Sequence, residues 1–153
     1  MDVPVGGLLT RLPLVLAFVV ATAGCGGSEG RRLALDVKEF GYSQPQLTLK
    51  RGERVTIELR NVGTVEHEFM AGNLGHGGMG YMQDLFAGVK HDVSPTESLH
   101  GNRHGMPQGG AWVKPGKSTT ITFTVPDRPG TYEFGCFVVG HYEAGMKGSL
   151  TIE

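Results

Sequence analysis

Apolar and polar residues alternate with a period of two along most of the chain beyond residue 32. Leu33, Leu35 and Val37 face one way, with Ala34, Asp36 and Lys38 between them. Leu47 and Leu49 repeat the spacing ahead of an Arg51-Gly52 turn, and Val55, Ile57 and Leu59 then alternate with Thr56, Glu58 and Arg60. Towards the other end, Ile121, Phe123 and Val125 alternate with Thr120, Thr122 and Thr124. Tyr132, Phe134 and Cys136 share a face, as do Leu150 and Ile152 in a final strand beginning near Lys147. Alternation of this kind marks strands with one buried face. Pro115-Gly116 and Pro129-Gly130 supply tight reversals. No stretch carries a long apolar helical period. Many short strands with one polar face predict an all-β domain, an antiparallel sandwich with Greek-key links.

Residues 71–110 interrupt the pattern with ten Gly, four His and three Met. So long a segment without strand patterning inside a domain is unusual and tends to be functional or mobile. Within it, Tyr81 to Val89 fits a short amphipathic helix that presents Tyr81, Leu85 and Val89 to the sandwich. The remainder of this insertion reads as irregular and glycine-rich.

The N-terminal region has a different character. Residues 12–23 (LPLVLAFVVATA) are apolar but for one threonine. Twelve residues rise about 18 Å as a helix, short of the ~30 Å hydrocarbon core. That length suits a signal-peptide core, with Arg11 as its basic flank and small residues Ala21 to Gly24 before the cut. Thr22-Ala23-Gly24-Cys25 resembles a bacterial lipobox, with Thr22 where an aliphatic residue is usual. The expected organisation is therefore a lipoprotein-type signal peptide over 1–24, lipidation at Cys25, a tether over 25–31 and one domain over 32–153. Such a chain is exported to the periplasm or to the outer face of a bacterial cytoplasmic membrane, held there by its lipid.

Composition narrows the function. The 153 residues include 14 Lys+Arg and 15 Asp+Glu, a formal charge of −1, so no nucleic-acid partner is expected. Two cysteines exclude a disulfide-stapled miniprotein and a four-thiolate zinc site. With Cys25 lipidated, Cys136 is a lone thiol in an oxidising compartment, a hazard that a bound metal removes.

Cys136, His141 and Met146 stand at C-x4-H-x4-M spacing just after a strand, and His67 lies upstream at the start of another (EHEFM). Thiolate and thioether are soft ligands, and imidazole accepts both copper oxidation states, so the set suits copper. The expected geometry is trigonal, from His67, His141 and Cys136, with Met146 as a weak axial ligand. Zinc fits less well, because a thioether is a poor zinc ligand and no second thiolate is available. A Cys/His hydrolase pair lacks an evident third residue to orient it. Each residue taken alone is compatible with plain packing, including a buried inert thiol at Cys136.

Residues 129–152 (PGTYEFGCFVVGHYEAGMKGSLTI) and 41–69 (GYSQPQLTLKRGERVTIELRNVGTVEHEF) resemble the cupredoxins, the blue copper proteins that include plastocyanin, azurin, auracyanin and rusticyanin. The ligand-loop spacing is similar to that of auracyanin and rusticyanin. This resemblance, spanning about Arg32 to Glu153, implies an eight-stranded Greek-key sandwich with one type 1 copper at one pole. The implied ligands are His67, Cys136, His141 and Met146. Two positions depart from the family pattern. Glu68 stands where many members have an Asn that ties the two ligand loops together, and Val139 where many have Pro. Both bear on the stiffness of the loops and hence on the reduction potential.

Three functions follow as expectations. The first is electron transfer to a redox protein partner (a cytochrome, oxidase or reductase), without catalysis or a small-molecule substrate. In the family the second histidine has an edge near solvent, so His141 becomes the electron port, ringed by Val138, Val139, Gly140, Tyr142 and Ala144. The second is copper storage, delivery or tolerance, using His76, Met79, Met82, His91, His100, His104 and Met106 of the insertion. The third is a metal-free surface interaction module.

Overall fold

A computed structural model describes Met1 and residues 30–74, 81–101 and 109–153. The expected signal peptide and Cys25 lie outside these residues, as do His76, Met79, His104 and Met106 of the insertion. Among the described residues no helix is long and apolar enough to cross a membrane.

Eleven strands are described: β1 (Arg31–Lys38), β2 (Gly41–Tyr42), β3 (Gln46–Leu49), β4 (Arg54–Asn61), β5 (His67–Leu74), β6 (Tyr81–Asp84), β7 (His91–Ser94), β8 (Ala111–Val113), β9 (Ser118–Thr124), β10 (Gly130–Gly135) and β11 (Lys147–Ile152). They form a Greek-key β-sandwich. One sheet runs β2-β1-β4-β9-β7 and the other β3-β11-β10-β5-β6, with β8 also paired to β5. The period-two positions all point inward. Leu35, Leu49, Val55, Ile57, Leu59, Ile121, Phe134 and Leu150 are fully buried, Val37, Leu47, Phe123, Val125 and Ile152 nearly so, and Leu33 and Tyr132 are partly buried against them. Removing each such side chain from water stabilises the fold by roughly 1.5–3 kcal/mol before the entropy of ordering is counted.

Two pairings are not antiparallel as expected. β1 pairs β4 in parallel, and β11 pairs β3 in parallel. A parallel pair needs a crossover connection. The chain provides it by passing from β1 to β3 in the opposite sheet before returning as β4.

The helix expected over Tyr81 to Val89 does not form. Tyr81–Asp84 is the strand β6, antiparallel to β5, with Asp84 opposite Gly72 and Gln83 opposite Asn73. The open edge of β5 offers a ladder of backbone partners, which outweighs a marginal helical period in so short a segment. Past β6 the Asp84 carboxylate accepts the Phe86 N–H (2.9 Å), and a turn replaces the helix. The described part of the insertion is also less irregular than its composition indicates. β7 pairs with β9 as the outer strand of its sheet, and a 3-10 turn spans Thr96–Ser98.

Candidate metal centre

β5 and β10 are neighbours, with Gly135 opposite Met70, so the start of one strand and the end of the other meet at one end of the sandwich. His67 opens β5, and Cys136 immediately follows β10. The loop from Cys136 to Met146 then folds back on itself. His141 N–H donates to the Val138 carbonyl (2.9 Å), Met146 N–H to His141 (2.9 Å), and Cys136 N–H to Met146 (3.1 Å). The φ of Gly140 is 83° and that of Gly145 is 100°, turns that residues bearing a Cβ rarely adopt. The local C-x4-H-x4-M spacing is thus converted into a closed loop with Cys136 and Met146 at its neck.

One ligand atom from each of His67, Cys136 and His141 lies within 4.8 Å of the others. The Cys136 sulfur is 3.4 Å from His141 Nδ1, and the two imidazole centroids are 5.0 Å apart. His67 and Cys136 are fully buried, and His141 is 8% exposed. Neither ring nitrogen of His67 has a hydrogen-bond partner among the described residues, an arrangement that is costly unless a ligand completes it. Burial lowers the His67 pKa, with a further contribution from His141 nearby, so its imidazole is held neutral. Burial pushes the Cys136 thiol up to about 12, opposed in part by the N–H groups of Glu68 and Val138. Two imidazoles, that of His67 held neutral, and a thiol that gives up its proton readily only to a metal fit a soft transition metal. Met146, the expected axial ligand, is fully buried beside this group.

The residues expected to ring His141 divide. Val139 is 97% exposed, and Gly140 and Ala144 are exposed too. Val138 is half-buried against the core. Tyr142 turns inward, stacked on Phe137 at 4.7 Å, with its hydroxyl donating to Glu133. That bond and burial raise its pKa, burial contributing most.

Phe40 was not legible as part of this face. It is exposed, adopts a φ of 65° in the β1–β2 turn, and sets its ring edge-on to His141 at 5.7 Å. A phenylalanine in the left-handed region costs roughly 1 kcal/mol or more and persists only where surrounding contacts hold it. The neighbouring Glu39 is such a contact. Its carboxylate accepts the Thr64 and Val65 N–H groups and the Thr64 hydroxyl. Those bonds, the Thr64 N–H foremost, hold its pKa down at about 2. The pinned segment leads directly into His67 and exposes Val62 and Val65. Buried Asn61 braces it from below, donating to the carbonyls of Val65 (2.7 Å) and Val113 (2.9 Å).

Of the insertion residues assigned to a second copper, only His91 and His100 have described side chains. His91 Nδ1 lies 2.9 Å from the Val89 carbonyl and its ring packs on Phe86. His100 is buried against Glu68 and Trp112. Neither joins the group formed by His67, Cys136 and His141. Met82 belongs to β6.

Residues 32–153 match the family model described as copper binding proteins, plastocyanin/azurin family. The chain is similar to the copper-resistant cuproprotein CopI of Rubrivivax gelatinosus, 30% identical over 111 residues that make up 72% of this chain and 59% of that protein. It is also similar to auracyanin-B of Chloroflexus aurantiacus, 47% identical over 119 residues, 74% of this chain and 47% of that protein. The chain therefore spans roughly half the length of these relatives. Among solved structures, dithionite-reduced auracyanin from Roseiflexus castenholzii superposes with a TM-score of 0.54 at 28% identity, covering 81% of this chain and 98% of that one.

Proposed function

The chain belongs to the plastocyanin/azurin family of copper-binding proteins, and from that premise we propose that it is a one-electron carrier acting outside the cytoplasm. Copper is its cofactor, held by His67, Cys136 and His141 with Met146 beside them. When bound, the metal supplies a Cu(I)/Cu(II) couple within one ligand frame. The observation that carries the proposal is the asymmetry of burial: His67 and Cys136 are sealed, and only His141 meets the surface. Phe40 stands exposed on its ring and Val139 is exposed two residues before it in the ligand loop, while Val62 and Val65 are exposed in the segment that leads into His67. Small apolar faces suit weak, transient redox encounters. The surrounding protein orients the ligands, keeps water off the sulfur and offers a single way out for an electron. The partner in this reading is another redox protein, and no substrate is turned over.

Electron self-exchange tests the port without knowing the partner, because two copies must meet through this face. Val139 is 97% exposed, so Val139→Asp carries little folding cost. Two like charges brought face to face should slow self-exchange about tenfold or more at low salt, with recovery as salt rises. The copper absorption should not change. A rate equal to wild type, measured by NMR line broadening of mixed oxidation states, would remove His141 as the port.

Copper tolerance is the second reading, favoured by the relatives named copper-resistant cuproproteins. It would enlist the insertion residues beyond the described part, His76, Met79, His104 and Met106, in further copper binding. Export and a lipid tether at Cys25 belong to either reading. In cells making the full chain, Cys25→Ala should move the protein from the membrane fraction to the soluble one, and continued membrane retention would contradict the tether.

A further inference from the structure

Glu68 occupies the position directly after the first ligand, and its side chain is fully buried. A carboxylate there is expensive unless several donors meet it. Two of them come from separate segments of the chain. Phe137, the residue after Cys136, donates its N–H to Oε1. His100, 32 residues along the chain, lies with Nε2 2.9 Å from Oε2. A carboxylate only accepts, so the imidazole N–H is the donor. Glu68 also reaches Cys136 by its own backbone, its N–H pointing at the sulfur at 3.4 Å. One residue thus holds the thiolate position through the sulfur and through the peptide that follows it.

His100 is itself fixed. Its ring lies parallel to the Trp112 indole, 5° between planes and 5.3 Å between centroids. Its backbone N–H donates to the Gly110 carbonyl at 3.1 Å. Trp112 sits on β8 directly opposite Glu68 on β5. The segment that interrupts the strand pattern therefore delivers a buried donor to the wall of the metal centre.

We infer that Glu68 and His100 form a clamp through which the insertion positions Cys136, and that His100 is a positioning residue for copper retention. The inference rests on the copper site and not on electron transfer, so it holds equally for a carrier and for a copper-tolerance protein. An amide at residue 68 could hold the Phe137 N–H without charge. A carboxylate at the same place calls for a buried donor, and the insertion supplies it.

The test uses the full chain. His100→Phe keeps an aromatic ring over Trp112 and removes the donor. Copper release to a chelator should become about 10–100-fold faster, the range for lost partners of metal ligands, and the thiolate–copper absorption should shift. In the copper-free protein, exchange of the Phe137 amide hydrogen should speed up at least tenfold. The double variant Glu68→Gln/His100→Phe retains an acceptor for Phe137 and carries no charge, and it should restore slow release to within a few-fold of wild type. If His100→Phe lowers the melting temperature but leaves release, absorption and the Phe137 amide as in wild type, the clamp is refuted. If His100→Phe does not fold, the double variant decides against Glu68→Ala/His100→Phe, which has no acceptor. Faster release from the alanine form supports the clamp, and equal release overturns it.

Discussion

Cys136→Ser should abolish the intense visible absorption of the copper-loaded protein while leaving the sandwich folded. In the proposed centre the sulfur is the one soft anionic ligand, and it is fully buried between the end of β10 and the ligand loop. A serine hydroxyl ionises far less readily than a thiol, so the thiolate–metal bond and its charge-transfer colour disappear together. The fold should survive, because the Cys136–Met146 backbone bond does not depend on the side chain. The same substitution should change the pH dependence of copper binding. In the metal-free chain the Cys136 pKa stands near 12 and that of His67 is lowered from 6.5. Between about pH 8 and 10 copper therefore displaces the thiol proton and none from His67. Wild-type affinity should rise by about tenfold per pH unit in that window through the thiol, and the serine variant should lose that contribution. Competition with a chelator of known affinity at several pH values measures both. An intense blue or green colour in the serine variant would disprove the ligand assignment.

The second large effect is on stability. Phe134 is fully buried, stacked on Phe69 (5.1 Å, 28°) and met edge-on by Tyr42 (5.1 Å). Its ring also lies where a Cβ on Gly148 would sit, so glycine is what lets β11 pass against it. Phe134→Ala should cost about 3–5 kcal/mol, transfer and cavity together. For a domain of this size that lowers the melting temperature by about 10–20 °C. Copper retention should suffer with it, since Phe134 lies two residues before Cys136 on the strand that aims the thiol. Thermal unfolding of the copper-free protein reads the first effect. A loss under about 1 kcal/mol would mean that the aromatic cluster is not the keystone between the strands carrying the ligands.

Most strands and the cluster of His67, Cys136 and His141 were legible in the sequence because both are local signals. Val55, Ile57 and Leu59 declare their buried face by alternation alone, and three of the four expected ligands fall within eleven residues of one another. What stayed hidden depends on partners distant in the chain. Tyr81, Leu85 and Val89 have helical spacing, yet the free edge of β5 makes Tyr81–Asp84 a strand. β7 is short and carries one apolar residue, Val93, so only its pairing with β9 reveals it. Glu68 stood out as a departure from the family, but its partner His100 looked like one more histidine of a glycine-rich loop. Phe40 gave no sign either, since its place on His141 follows from a turn of positive φ and from Glu39 gripping the next loop. The copper centre is thus written in a short motif, while the parts that stiffen and cover it are assembled by the fold.

The central claim is that His67, Cys136 and His141 hold one copper ion for reversible one-electron chemistry. A titration of the purified, metal-free chain with Cu(II), followed by absorption, tests it most directly. The account predicts that strong visible colour grows to one equivalent and stops, bleaches with ascorbate and returns with ferricyanide, the ion staying bound throughout. A colourless adduct, or colour that keeps growing through two or more equivalents, would contradict it.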